Sequence, residues 1–413
     1  MKRILVHFFL IGCCLSPAAQ AAETEIELIK RELAALVARV EQLEAENSDL
    51  REASTKSSER IEVIDERTDS GAWTSTIALS GDVRYRYESI DVEGRDTRER
   101  NRVRARVAIK ASPTDNLKLE VGLASGSDDP LSTNQTLGDA GSTKDLRLDL
   151  AYFKWQATPN LAVQGGKMKN SWYRPRGDAL LWDNDFRPEG LGVNYARGDF
   201  FMNSAVTFLE SDTRNSSETI AYGLQGGYHF SLSNGGKLTA GMGYLGIGTE
   251  GKEVVYGDPD DFFGNTFSCA NPATLAGCVY DTDFNLLEVF AEASINVGEL
   301  PVRFYADFVT NQDADRYDTG WATGFQLGRA SGSNTWELGY VYQDLEANAV
   351  LGLTTDSDFG GGGTDVKGHI LRGAWAINKK WRLGMTYFRN ENGVDLGAGN
   401  DYERLQLDTA FRF

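Results

Sequence analysis

RLQLDTAFRF, residues 404–413, poses the question of fold. Leu405, Leu407, Thr409, Phe411 and Phe413 share one parity and are apolar or neutral. Arg404, Gln406, Asp408 and Arg412 share the other, with the small Ala410 among them. A period of two describes a strand with one apolar and one wet face. One such strand suits a soluble sandwich as well as a membrane barrel. How often the pattern recurs, and what separates the repeats, decides between them.

Sixteen alternating segments run from 75–89 to 402–413. Tight connections at 113–114, 158–159, 232–235 and 298–299 alternate with long polar ones, including 127–143, 170–187, 250–281 and 347–364. Short turns at one end, long loops at the other and an even strand count are the signature of an outer-membrane barrel. Segments of this length suit a tilted span, and closure leaves no backbone group unpaired in lipid.

Facing within the strands agrees. In IALSGDVRYRY (77–87), Ile77, Leu79, Val83, Tyr85 and Tyr87 oppose Ser80, Asp82, Arg84 and Arg86. In RVRARVAIK (102–110), Val103, Ala105, Val107 and Ile109 oppose Arg102, Arg104, Arg106 and Lys110. LRLDLAY (146–152) sets Leu146, Leu148, Leu150 and Tyr152 against Arg147 and Asp149. Sixteen strands with one charged face each leave no dry interior for a soluble protein to bury, which disfavours a propeller or sandwich. The expectation is an all-β transmembrane barrel of about 16 antiparallel strands, preceded by an α-helical coiled-coil segment.

The chain opens on MKRILVHFFLIGCCLSPAAQA, with Lys2 and Arg3, an apolar core and Ala19-Gln20-Ala21. This reads as a signal peptide over 1–21, too short in its apolar run for an anchor. LIGC at 10–13 leaves a lipoprotein processing site at Cys13 as the alternative. Loss of Lys2 and Arg3 takes the formal charge from -18 to -20, an acidic balance that argues against nucleic acid. Cys269 and Cys278 then remain, and in an exported chain the pair is expected to form a disulfide. A pair of free thiols or a two-ligand metal site is the competing reading, and with no His nearby neither metal nor cofactor is expected.

Residues 22–70 differ from the rest. Ile26, Leu33, Val40 and Asn47 occupy one heptad position, and Ile29, Leu36, Leu43 and Leu50 the other. Charged neighbours flank this narrow seam, as in a coiled coil. A helix from 26 to 64 would be about 58 Å long. Asn47 in the seam would fix its register. The expected organisation is therefore 1–21 signal, 22–70 periplasmic coiled coil and 71–413 barrel.

With the heptads, the terminal AFRF and GGKMKNSWYRPRGDALLWDNDFRPEGLGVNY (165–195) in view, the chain resembles a Gram-negative outer-membrane porin, of the putative-porin type with an N-terminal periplasmic coiled coil. The resemblance spans nearly the whole chain beyond residue 21 and is more architectural than chemical. It implies residence in outer-membrane lipid, a homotrimer, and passive diffusion of small hydrophilic solutes and ions. It implies that Phe413 ends a strand read by the assembly machinery. It also implies that loop 170–187 folds into the barrel, bringing Arg174, Arg176, Asp178, Asp183, Asp185 and Arg187 to a constriction. Arg84, Arg86, Arg102, Arg104, Arg106, Lys118 and Arg147 are expected to form a basic wall opposite it. Opposed charged walls would set up a transverse field that favours polar solutes. His229 and His369 lack a nucleophile setting, so an enzyme is not expected. A substrate-specific channel for a phosphate-like anion, and a tether gripping the cell wall through the N-terminal helix, are the alternative functions.

Overall fold

The alternation from Ile77 onward is realised as a closed sheet in a computed structural model that describes Arg39, Gln42, 77–211, 218–233, 235–397 and 399–413. Residues 1–21, expected as a signal, and the expected seam residues from Ile26 to Leu50 lie outside the described residues. So does Cys13.

Sixteen barrel strands follow in chain order. They are β1 Ala78–Val92, β2 Arg98–Thr114, β3 Leu117–Ser125, β4 Leu146–Thr158, β5 Leu161–Lys167, β6 Glu189–Arg197, β7 Phe200–Glu210 and β8 Thr219–Ser231. The second half comprises β9 Lys237–Ile247, β10 Phe284–Val297, β11 Leu300–Asn311, β12 Thr319–Gly328, β13 Thr335–Leu345, β14 Val366–Ala376, β15 Trp381–Asn392 and β16 Asn400–Arg412. Each pairs antiparallel with its neighbour in sequence, and β16 returns to β1 with Phe411 against Val83. Closure removes the two edges on which unpaired amides would meet lipid. Two smaller pieces supplement it. Gln135–Thr136 pairs with β2 at Arg102 and Val103, above the end of the short β3. The hairpin Phe267–Asn271 with Ala276–Tyr280 stands in the 248–283 loop, its strands joined by the Cys269–Cys278 disulfide.

Large apolar side chains face out. Leu79 is 63% exposed, Leu146 60% and Met242 63%, fractions that suit lipid and would be costly in water. Aromatic side chains mark two belts at the strand ends. Trp155, Phe200, Tyr228, Trp336, Trp375, Trp381 and Phe411 lie toward the short turns, and Phe208, Tyr222, Tyr244, Phe308 and Trp321 toward the long loops. Amphipathic rings settle at the headgroup level on either side of a bilayer.

Two expectations are corrected. A β-bulge leaves Asp149 unpaired between Leu148 and Leu150, because Gly122 pairs Leu150 while Leu123 pairs Leu148. The extra residue reverses the phase of β4. Leu146 and Leu148 face out, but Leu150 is buried and Tyr152 turns inward to donate to Glu120. The single face drawn through Leu146 to Tyr152 therefore does not exist.

The second correction concerns the interior, which was expected to be wet throughout. Leu180, Leu181, Trp182 and Phe186 of one loop and Val350, Leu351, Leu353 and Phe359 of another pack on inward-facing side chains. Those include Leu245 on β9, Leu286 on β10, Val309 on β11, Leu345 on β13 and Ile370 on β14. Fully burying a Leu or Phe stabilises by about 1.5–3 kcal/mol, which offsets the ordering of the loop residues at about 1–2 kcal/mol each. The side of the barrel from β9 to β14 thus carries a dry core. Asn265, from the 248–283 loop, ties that loop to the second of these, its amide donating to the carbonyls of Ala347 and Val350 at 2.7 and 2.8 Å.

Candidate functional site

The opposite side of the interior is ionic. Arg84 pairs with Arg104 and Arg86 with Arg102 across β1 and β2, so like charges stand face to face. Such pairs repel unless carboxylates intervene. They do intervene. Asp82 accepts from Arg104 at 2.9 Å and Arg106 at 2.8 Å. Asp408 on β16 accepts from Arg86 at 2.7 Å and lies 3.9 Å from Arg84. Glu88, with a fully buried side chain, is shared by Arg100, Arg404 and, at 4.0 Å, Arg102. The expected basic wall is a lattice of alternating charge in which arginines outnumber acids.

Two loops reach this lattice. Asp185, from the loop between β5 and β6, lies 3.1 Å from Arg106 and 3.7 Å from Arg104. Asp358, from the loop between β13 and β14, lies 3.3 Å from Arg86 and 2.7 Å from Arg404. Asp356 pairs with Arg372 at 3.7 Å. Asp183 forms no ion pair with the arginines among the described residues. Its carboxylate accepts from the amides of Asp185 at 2.6 Å and Ser357 at 2.9 Å, which joins the two loops. Burial, with Asp356 beside it, raises its pKa well above the carboxylate range.

Asp178 also departs from expectation. It is buried toward Asp307 and Glu288 on the other wall, and burial lifts its pKa to about 7. The preceding turn explains this. Arg176 and Gly177 both adopt positive φ, 54° and 71°, and redirect the chain before Asp178. Of the three acids expected opposite the basic wall, only Asp185 reaches it.

The basic residues of the same loop serve different ends. Arg174 donates to the carbonyl of Trp182 at 2.9 Å and so closes the loop on itself, while burial lowers its pKa. Arg176 crosses to β12, its Nε donating to Gln326 at 2.9 Å, and its amide donates to Glu292 on β10 at 2.6 Å. Arg187 sits 3.6 Å from Asp149 and 3.7 Å from Asp185.

A cavity of about 310 Å³ lies between lattice and loops. Arg84, Arg86, Arg104, Arg176, Arg372, Asp183, Asp185, Asp356 and Asp358 are among its lining residues. Neither Lys118 nor Arg147 lines it. Lys118 sits at the short-turn end of β3, and Arg147 pairs with Asp145 at the long-loop end of β4. Sequence reading missed Arg100, Arg404, Arg372, Glu88, Asp408, Asp356 and Asp358. Arg404 and Asp408 were legible, since they share the inward parity of the terminal strand. The two loop aspartates carried no such signal.

The family model described as Putative porin matches residues 91–247 and 275–413. No curated protein matches the sequence. Among solved structures, OprB of Pseudomonas putida aligns with a TM-score of 0.54 at 13% identity, over 82% of this chain and 95% of that one. A mutant of Rh. blastica porin aligns at 0.48 and 10%, over 82% and 100%. OmpT of Vibrio cholerae in its trimer form aligns at 0.46 and 13%, over 82% and 99%.

Proposed function

Because the chain belongs to the Putative porin family, we propose that it is an outer-membrane channel whose passage is narrowed by the loop at 168–188, for passive diffusion of small hydrophilic solutes and ions. One observation carries the narrowing. Asp185 of that loop meets Arg104 and Arg106 of the β2 wall, while Arg176 of the same loop bonds to β12 across the interior. The 346–365 loop shares the task through Asp356 and Asp358.

Fixed charges of both signs around a small wet space create a field across it. Polar solutes are oriented there and apolar ones meet a barrier of ordered water. The working assembly on this reading is a homotrimer, with the segment at 22–70 as a periplasmic coiled coil that can approach the cell wall.

Purified full-length protein in planar bilayers tests the proposal. Stepwise conductance increments are expected, together with swelling of liposomes in small sugars but not in large ones. Inserted protein that passes neither current nor solute would refute the channel and leave the tether.

A further inference from the structure

Above the narrow passage, toward the long loops, lies a larger cavity of about 890 Å³, within the range that holds small organic ligands. We propose that it binds small organic anions, solutes that present a carboxylate or a phosphate. This rests on the channel reading and names the solute class that the channel concentrates.

The charge arrangement comes first. The chain as a whole carries -18, yet five arginines and three aspartates line this cavity. Arg95 and Arg98 are exposed at its rim and have no acidic partner among the described residues. Deeper in, the carboxylate of Glu88 is shared by Arg100 and Arg404, Asp358 takes a second contact from Arg404 at 2.7 Å, and Arg102 comes no closer to Glu88 than 4.0 Å. Arg102 otherwise makes only a weak hydrogen bond, 3.4 Å to the hydroxyl of Ser132, with the charges of Asp129 and Asp358 nearby, and its buried Nε has no acceptor. A guanidinium offers five donors in a planar fork suited to carboxylate or phosphate oxygens. The terminal nitrogens of Arg102 therefore keep donors for a solute.

The facing wall adds donors and takes away side chains. Gly360 to Gly363 all adopt positive φ, between 61° and 105°, so bare backbone lines the cavity there. The amides of Gly361 and Gly363 donate to no protein acceptor among the described residues. Successive amides in such turns form concavities that take anions. Tyr402, whose ring lies 3.4 Å from where a Cβ on Gly361 would sit, and Tyr256 add apolar surface for an organic body. Ser357 and Asp358 border both this cavity and the passage below, so the upper site adjoins the space lined by Arg84 and Arg86.

Full-length protein in a planar bilayer gives the test, with gluconate and inorganic phosphate as probes and sorbitol as the neutral control. Gluconate or phosphate added on the long-loop side should reduce the salt current saturably, and sorbitol at equal concentration should not. Block by phosphate alone assigns the head group as phosphate, and block by gluconate alone as carboxylate. Arg102→Gln should raise the half-blocking concentration by about tenfold, the effect of one lost charge-assisted contact. Arg95→Gln with Arg98→Gln, at exposed positions that the fold does not depend on, should raise it about two- to threefold. Arg389→Gln, on the lipid-facing side, should leave it unchanged. A conducting channel that gluconate and phosphate block no better than sorbitol overturns the proposal, as does block indifferent to both arginine variants. Absence of conductance would instead remove the channel reading itself.

Discussion

Asp185→Asn removes one fixed charge from the proposed constriction, beside Arg104 and Arg106. The variant should fold, because Arg104 and Arg106 both keep Asp82 at 2.9 and 2.8 Å. An ion passing with one hydration layer comes within about 6 Å of that carboxylate. At that distance two unit charges interact by about 0.7 kcal/mol in water, and the 10 Å screening length of 0.1 M salt reduces this to about 0.4 kcal/mol. The anion gains this amount and the cation loses it, so the anion-to-cation permeability ratio should rise about fourfold. Incomplete solvation of the passage would enlarge the effect. In 1 M salt, where the screening length falls to about 3 Å, the ratio should change by less than about 1.5-fold. The assay is the reversal potential across a bilayer under a tenfold salt gradient, measured at low and at molar concentration. It should move by tens of millivolts in the first case and hardly in the second. An unchanged potential at low salt would place Asp185 away from the ion path and refute the narrowing loop. An equal shift at both concentrations would refute the electrostatic account of it.

Three further outcomes follow from the same geometry. Asp178 has its pKa raised by burial to about 7, so docking of its loop is fully supported below the ordinary carboxyl range near 4 and loses that support as pH rises through about 7. Open-channel current noise should therefore grow between pH 5 and pH 8, and Asp178→Asn, which cannot ionise, should flatten the dependence; noise that falls over this range would contradict the sign. Cysteines at Ser127 and Ala273, both exposed on the long-loop side, should react with an impermeant thiol reagent on intact cells, and one at Thr114, beside a short turn, should not. Labelling at Thr114 alone would invert the barrel. A peptide of residues 23–66 should be helical by circular dichroism and self-associate by sedimentation, and a monomeric, unfolded peptide would remove the coiled coil.

The sequence by itself determined the barrel. A period of two at sixteen places, with apolar side chains on one parity and charges on the other, leaves only closure in lipid as a way to satisfy the backbone. It also put Arg84, Arg86, Arg102, Arg104 and Arg106 on the inner face, because parity along a strand is a local property that needs no partner to be read. Where locality failed, only tertiary structure decided. The bulge at Asp149 depends on the register of β4 against β3, a relation between strands, and it reversed the faces of Leu150 and Tyr152. The apolar residues around Leu181 and Leu351 read as parts of polar loops, yet between lipid and water they could be buried only on the inner wall, some 170 residues apart in sequence and joined through Asp183. That docking in turn set which acids meet arginines. Asp358 reached Arg404 and Asp178 left for the far wall because a carboxylate's partner is fixed by where its loop comes to rest, and no spacing along the chain encodes that.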